Sequence, residues 1–235
     1  MKQKIYQGSS KTLYQSERED AFIMSFEDTM RIDGKTYSIP GKGVINNSIS
    51  SHLMQKLGLI GIDNHLIEKS NMKRQLIQCV EIYPVQIHLS TIANGRYIKE
   101  FGMEEGFVFD SPILDWRVKN NKLNYPMVNE QQIVQFGWMS RYELKQLTQT
   151  AIRVHDYLAG YFSAIGLRMI DIKLEFGRIF NGEDFVPILI DEVSPDTCKL
   201  WDIDSNEKLC YELLNEGKED KIIPAYQEVL RRITK

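Results

Sequence analysis

The chain has 235 residues, with 29 basic and 32 acidic side chains and a net charge of −3. At 43% hydrophobic and 26% charged residues it has the make-up of a soluble folded protein. Those figures give no electrostatic case for nucleic acid, no run reaches the roughly 18 apolar residues of a membrane helix, and the start lacks the apolar stretch of a secretory leader.

The first elements read as successive antiparallel strands. Residues 4–6 and 12–14 flank the small-residue turn Gln7-Gly8-Ser9-Ser10-Lys11, and residues 21–26 form a third strand closed by Glu27-Asp28-Thr29. Polar loops follow at Asp33-Gly34-Lys35-Thr36 and Pro40-Gly41-Lys42-Gly43. Ile45, Ile49, Leu53 and Leu57 then repeat at helical spacing, with a stop near Gly58. Residues 77–89 read as a strand interrupted at Tyr83-Pro84, because proline has no N–H to donate. Residues 111–130 read as an irregular connection.

The clearest helix begins at Ser140. Ser140 and Glu143 have the spacing of a capping box, and Leu144, Leu147, Ala151, Val154, Leu158 and Phe162 mark one apolar face ending before Gly166. Two strands follow, at residues 169–176 and 185–191, joined through Asn181-Gly182-Glu183. A last helix spans residues 224–233, with Pro224 in its first turn. This order lacks the regular strand–helix alternation of a parallel sheet. It predicts an α+β fold of two lobes, a small antiparallel-sheet lobe over residues 1–82 and a larger mixed lobe over residues 83–235, with a cleft between them.

The chemistry concentrates in Asp171-Ile172-Lys173-Leu174-Glu175-Phe176-Gly177. On a strand, Asp171, Lys173 and Glu175 share one face and Ile172, Leu174 and Phe176 the other. A solvated face would show the same pattern. The next strand, Phe185-Val186-Pro187-Ile188-Leu189-Ile190, is wholly apolar and ends in Asp191-Glu192. With the turn centred on residue 183, Asp191 lies opposite Glu175, and two adjacent carboxylates repel unless a cation joins them. Glu175 and Asp191 are therefore the expected metal pair, suited to Mg²⁺, with Lys173 beside them to meet an anion. The Gly8 turn lacks Walker spacing and reads as a hairpin or as a lid over phosphates. The loop from Asp191 to Asp202 gathers acids, hydroxyls, Lys199 and Trp201. His52, His65, His88 and His155 show no zinc spacing. Cys79, Cys198 and Cys210 form no Cys-x-x-Cys pair and suit a reducing cytoplasm.

With these motifs on the page the chain resembles the SAICAR synthetase family of purine biosynthesis, from Tyr6 to Arg232. The resemblance is carried by Asp171-Ile172-Lys173-Leu174-Glu175-Phe176-Gly177, by Asp191-Glu192-Val193-Ser194-Pro195-Asp196 and by Leu200-Trp201-Asp202. Lys42-Gly43, Asn46-Asn47, Glu104-Glu105-Gly106, Met127-Val128-Asn129-Glu130 and Phe136-Gly137-Trp138 support it. It implies a kinase-like ATP cleft and a ligase that joins L-aspartate to carboxyaminoimidazole ribotide (CAIR), using ATP and Mg²⁺ through an acyl phosphate. By position it implies that Gly8 and Lys11 belong to a phosphate lid, Glu81, Ile82 and Tyr83 to an adenine hinge, and Lys119 and Lys173 to the nucleotide side. Lys173, Glu175 and Asp191 are the implied catalytic set, with Glu175 and Asp191 on the metal. Asp33, Lys42, Ser194, Asp196 and Asp202 match positions around the acceptor substrates, together with Ser90, Gly95, Arg96, Lys199 and Trp201.

The sequence departs from the family's pattern where arginines are usual, at Ser90 and Lys199, while Arg96 stands where a serine is usual, so Arg96 is expected to supply the missing guanidinium. Tyr125 replaces the usual aspartate before Pro126. Expected partners are the small molecules ATP, CAIR and L-aspartate, without nucleic acid or membrane; a homo-oligomer stays open. Two other functions fit the same residues: a small-molecule kinase, and a paralogous ligase with another carboxylate or ribotide acceptor. A binding module without turnover is a third.

Overall fold

The computed structural model describes residues 3–32 and 34–235. The chain divides into two compact units. The first holds the residues up to Val80 together with Glu192–Asp196 and Lys208–Lys235; the second holds Glu81–Asp191 and Thr197–Glu207.

In the first unit, strands β1 (Lys4–Gln7), β2 (Lys11–Gln15) and β3 (Ala21–Phe26) follow the expected order, and β4 (Thr29–Ile32) pairs with β5 (Lys35–Ser38) as a separate hairpin. Helix α1 (Lys42–Leu59) comes next, then β6 (Leu66–Lys69) and β7 (Arg74–Gln78). The five-stranded sheet has the order β1-β2-β3-β7-β6. Ile49, Leu53, Met54 and Leu57 of α1 are fully buried, as their spacing predicts. Each such side chain contributes about 1.5–3 kcal/mol on burial.

The second unit starts with β8 (Glu81–Ile92), then α2 (Arg96–Phe101), β9 (Val108–Val118), α3 (Glu130–Gln135), α4 (Arg141–Ala164), β10 (Leu167–Phe180), β11 (Phe185–Ile190) and β12 (Cys198–Asp202). Its antiparallel sheet runs β11-β10-β8-β9, with β12 also paired to β10. Helix α4 packs on β10, β11 and β8 through the six apolar residues named above. Its capping box is present: Ser140 Oγ accepts from the Glu143 N–H at 3.1 Å, and Glu143 Oε2 accepts from the Ser140 N–H at 2.8 Å. Gly166 follows the helix end at φ +75°, a turn conformation that suits glycine. The last helices, α5 (Glu212–Asn215) and α6 (Ile222–Ile233), return to the first unit, where α6 packs against α1. No helix among the described residues is long and apolar enough to cross a membrane.

The α+β class stands, and four local readings change. The run read as one strand over residues 77–89 is two strands in different sheets, β7 and β8, separated at Cys79-Val80. Pro84 does not end β8; the ladder to β10 absorbs it as an irregularity between the pairs Glu175–Gln86 and Gly177–Ile82. The supposed connection after residue 111 is largely strand, because β9 is an edge where Pro112 can sit at a break in the ladder between the pairs Ser90–Ile113 and Ile92–Val108. Finally, residues 208–235, read with the second lobe, belong with the first unit, because the apolar face of α6 is buried beside α1.

Candidate active site

The second unit places the charged strand face where its alternation predicts. Along β10, Ile172, Leu174 and Phe176 are buried, while Asp171, Lys173 and Glu175 remain half-buried on the opposite face. Gln86, His88 and Ser90 of β8 lie across from Glu175, Lys173 and Asp171. Asp115 and Arg117 of β9 lie across from His88 and Gln86. The result is one polar sheet face backed by an apolar one that carries α4.

The expected register is off by one. Ile190, not Asp191, pairs with Glu175, because the connection between β10 and β11 is four residues and the pairs begin at Phe180–Phe185. Asn181 Oδ1 accepts from the N–H groups of Glu183 and Asp184 and closes that turn. An extended Asp191 would then face the apolar side. It is instead left-handed, with φ +66°, at a cost of about 1–2 kcal/mol. Its carboxylate meets Lys173 Nζ at 3.3 Å. The same ammonium lies 3.2 Å from Glu175 Oε1, and Lys119 Nζ lies 2.5 Å from Glu175 Oε2. Both carboxyl groups thus converge on one cation although they are not opposite one another in the ladder.

Such a pair of hard oxygen donors fits Mg²⁺, which takes one or two protein carboxylates and fills the rest of its shell with phosphate oxygens and water. Among the described residues no cluster of three or more His, Cys, Asp or Glu side chains could cage a metal unaided. Lys119 is tied to the start of β8 as well, through its N–H to the Pro84 carbonyl at 2.8 Å. Beside it, Ile82 is exposed and Tyr83 buried. Arg178 holds Glu81 at 2.7 Å and Glu143 at 2.9 Å, and the Tyr83 hydroxyl donates to Glu143 at 3.0 Å. Burial and the Glu143 carboxylate push the Tyr83 phenol well above its ordinary range.

Further along β10 lies a second group. Lys199 Nζ is 2.7 Å from Asp171 Oδ2 and donates to Asn94 Oδ1 at 2.5 Å. Gly95, at φ +52°, turns the chain beside this ammonium, and any Cβ there would be strained. Arg96 follows and pairs with Asp115 at 2.6 Å. Ser90 is buried opposite Asp171. Burial, then the charges of Arg117, Lys173, Lys199 and Arg96, hold the His88 ring well below its ordinary pKa and therefore neutral. Trp201 and Asp202 are not brought to the Glu175 end. They pair with Arg168 and Leu167, and the eight residues of strand from Leu167 to Glu175 span about 26 Å. Asp202 Oδ1 accepts from the N–H groups of Asp204 and Ser205 and shapes the turn after β12.

In the first unit, the Gly8 N–H donates to the Lys11 carbonyl at 2.8 Å and closes the turn from β1 to β2. Lys11 Nζ pairs with Glu192 at 2.6 Å. Lys42 and Asp196, read as acceptor-side groups, form an ion pair at 2.6 Å with side chains only 1% and 4% exposed. The Tyr226 hydroxyl donates to Asp196 at 2.7 Å. Burial alone would raise the Asp196 carboxyl, but the Lys42 charge and the hydrogen bonds from Lys42 and Tyr226 outweigh it and hold the pKa below its ordinary value. Ser194, also buried, donates to Glu192 at 2.6 Å. Asp33 lies outside the described residues.

Sequence reasoning missed Glu192, Tyr226, His88, Asp115, Arg117 and Arg178. Glu192 follows Asp191 directly, and a buried acid after an apolar strand was its available signal. Tyr226 had none, because it lies on an ordinary amphipathic helix.

Comparison with known proteins accounts for the whole chain. The SAICAR synthetase family model matches residues 4–233. The phosphoribosylaminoimidazole-succinocarboxamide synthase of Rickettsia massiliae is 52% identical over 234 residues, which cover 99% of each chain. The crystal structure of the same-named enzyme from Ehrlichia chaffeensis superposes with a TM-score of 0.95 at 34% identity, covering 99% of this chain and 98% of that one. A type-2 SAICAR synthetase in complex with ADP gives a TM-score of 0.92 at 31% identity, covering 97% of both chains.

Proposed function

The chain belongs to the SAICAR synthetase family, and from that membership we infer that it is an ATP-dependent ligase joining L-aspartate to CAIR to give SAICAR, ADP and phosphate in purine biosynthesis. The observation that carries this reading is the match over 99% of both chains. No large insertion or truncation separates the two lengths.

The chemistry follows from the substrates. A carboxylate is a poor electrophile toward an amine. Transfer of the γ-phosphoryl group of ATP to the CAIR carboxylate gives an acyl phosphate, and the L-aspartate amine then displaces phosphate. In the second unit, Lys173 and Lys119 are placed to stabilise phosphate charge, since both ammonium groups already hold Glu175. Glu175 and Asp191 would hold Mg²⁺, which when bound would neutralise phosphate charge as a Lewis acid. Ile82, exposed at the start of β8 with Glu81 and Tyr83 anchored on either side, is the apolar surface for adenine. In the first unit, Gly8 and Lys11 form the phosphate-side turn.

The acceptor side draws on Lys199, Arg96, Ser90 and Gly95. Arg96 brings a guanidinium to the turn before α2, and Lys199 keeps the positive charge without the bidentate fork of arginine. Both cations are already seated on carboxylates, Asp115 and Asp171, so an incoming anion meets an ordered pair. Trp201 and Asp202 shape the end of β12, and Lys42, Ser194 and Asp196 order the segment after Asp191. With Cys79, Cys198 and Cys210 present as thiols, we place the enzyme in the cytoplasm.

The test is ADP release from ATP and Mg²⁺ with CAIR and L-aspartate added singly and together. Turnover only with both supports the ligase. Phosphorylated CAIR as a stable product would mean a kinase, and ATP binding without turnover would mean a different acceptor.

A further inference from the structure

The segment Glu192–Asp196 places a polar side chain at every second residue: Glu192, Ser194 and Asp196. All three are engaged within the first unit. Glu192 is 2% exposed. One carboxylate oxygen accepts from Lys11 Nζ at 2.6 Å, and the other accepts from Ser194 Oγ at 2.6 Å. Ser194 Oγ in turn accepts from the Asp196 N–H at 3.1 Å. Asp196 divides its own carboxylate between Lys42 of α1 and the Tyr226 hydroxyl of α6. An unbroken series of contacts therefore runs from the head of β2 to two helices.

The cost of breaking such a series is not evenly spread. A carboxylate buried to this degree is strongly unfavourable without its cation, so Glu192 and Lys11 hold each other. A lysine ammonium ends a flexible four-carbon stem and has a defined position only where a fixed group anchors it. It also carries three N–H donors. One on Glu192 leaves others for a phosphate, so the ion pair and a bound nucleotide are compatible. Glu192 lies one residue beyond Asp191, yet its two oxygens already serve Lys11 and Ser194.

We propose that Glu192 is a positioning residue for the nucleotide: it fixes the Lys11 ammonium at the phosphate-side turn, and the Ser194–Asp196–Tyr226 contacts fix Glu192, so that the C-terminal helix sets the place of that lysine. This rests on the reading of Lys11 as a phosphate-side group. It adds an element more than 200 residues away in sequence to the handling of ATP.

The experiment compares Glu192→Gln, Lys11→Met, their double variant and Tyr226→Phe. KM is measured separately for ATP, L-aspartate and CAIR, ADP affinity is read by calorimetry without turnover, and a thermal melt checks folding. Glu192→Gln should raise KM for ATP and weaken ADP binding about tenfold, the loss of one charge-assisted contact, with the other two KM values within about twofold. Lys11→Met should do the same, and the double variant should be no worse than the poorer single one, because Glu192 acts through Lys11. Tyr226→Phe should shift ATP alone, by about two- to threefold. Should Glu192→Gln not fold, Ser194→Ala keeps both charges, frees one Glu192 oxygen and should show the same selective loss for ATP. An unchanged ATP response in the Glu192 or Ser194 variant, beside an impaired Lys11→Met, overturns the inference and leaves Lys11 in its role. A normal Lys11→Met overturns both. Multiplying effects in the double variant would show that Glu192 acts independently of Lys11 and overturn the inference as well.

Discussion

Asp196→Asn should be among the most destabilising single substitutions in the first unit. It strands the Lys42 ammonium, whose side chain is 1% exposed, and weakens the acceptor of the Tyr226 hydroxyl. Removing one partner of a buried ion pair costs about 3–5 kcal/mol. In a chain of this size about 2–4 °C of melting temperature is lost per kcal/mol, so a fall of about 6–20 °C is expected. Thermal melts and urea unfolding at pH 7 measure it directly. The double variant Lys42→Met with Asp196→Leu removes both charges and should regain most of the loss, because neither desolvation cost remains. The pH dependence has a definite sign. The folded Asp196 carboxyl titrates below its ordinary 3.8, so its stabilisation is complete above that pH and is lost as pH falls through the folded value. The deficit of Asp196→Asn should therefore shrink in acid. A single variant melting within about 2 °C of the parent at pH 7 would refute the buried-pair argument.

Asp191→Asn should abolish Mg²⁺-dependent turnover and leave the melting temperature within about 2 °C of the parent, because asparagine tolerates the left-handed φ of +66° as aspartate does; near-normal turnover removes the metal role. His88 is neutral when folded but takes a proton near its ordinary pKa of 6.5 when unfolded, so stability should fall as pH drops below 6.5. His88→Gln should flatten that slope in melts between pH 7 and 5, leaving a residual slope from His52, which burial also holds low. Gly43→Ala should destabilise by about 1–3 kcal/mol, because its Cβ would strike the backbone carbonyl of Phe26, which cannot move aside cheaply. Gly160→Ala, on an open face of α4, should instead add about 0.8–1.0 kcal/mol, and equal effects at the two glycines would contradict this account.

What could be read from the chain before folding was local. The two-residue alternation from Asp171 to Phe176 set which side chains share the polar face, since a pleated strand has no other way to place them. The Ser140–Glu143 spacing and the apolar repeat after it determined α4 in the same manner. The resemblance of the motifs sufficed for the family. Pairings between distant residues were decided only by the fold. A four-residue turn instead of one centred on residue 183 slid β11 by one position, and the left-handed Asp191 returned its carboxylate to Lys173. Lys42 and Asp196, 154 residues apart, became one buried pair, and Tyr226 joined them only because α6 docks beside α1. Local sequence sets backbone preference and the face of a side chain. It carries no register, and it does not say which buried acid will meet which buried base. Those depend on turn geometry and on the packing of apolar faces from separate parts of the chain.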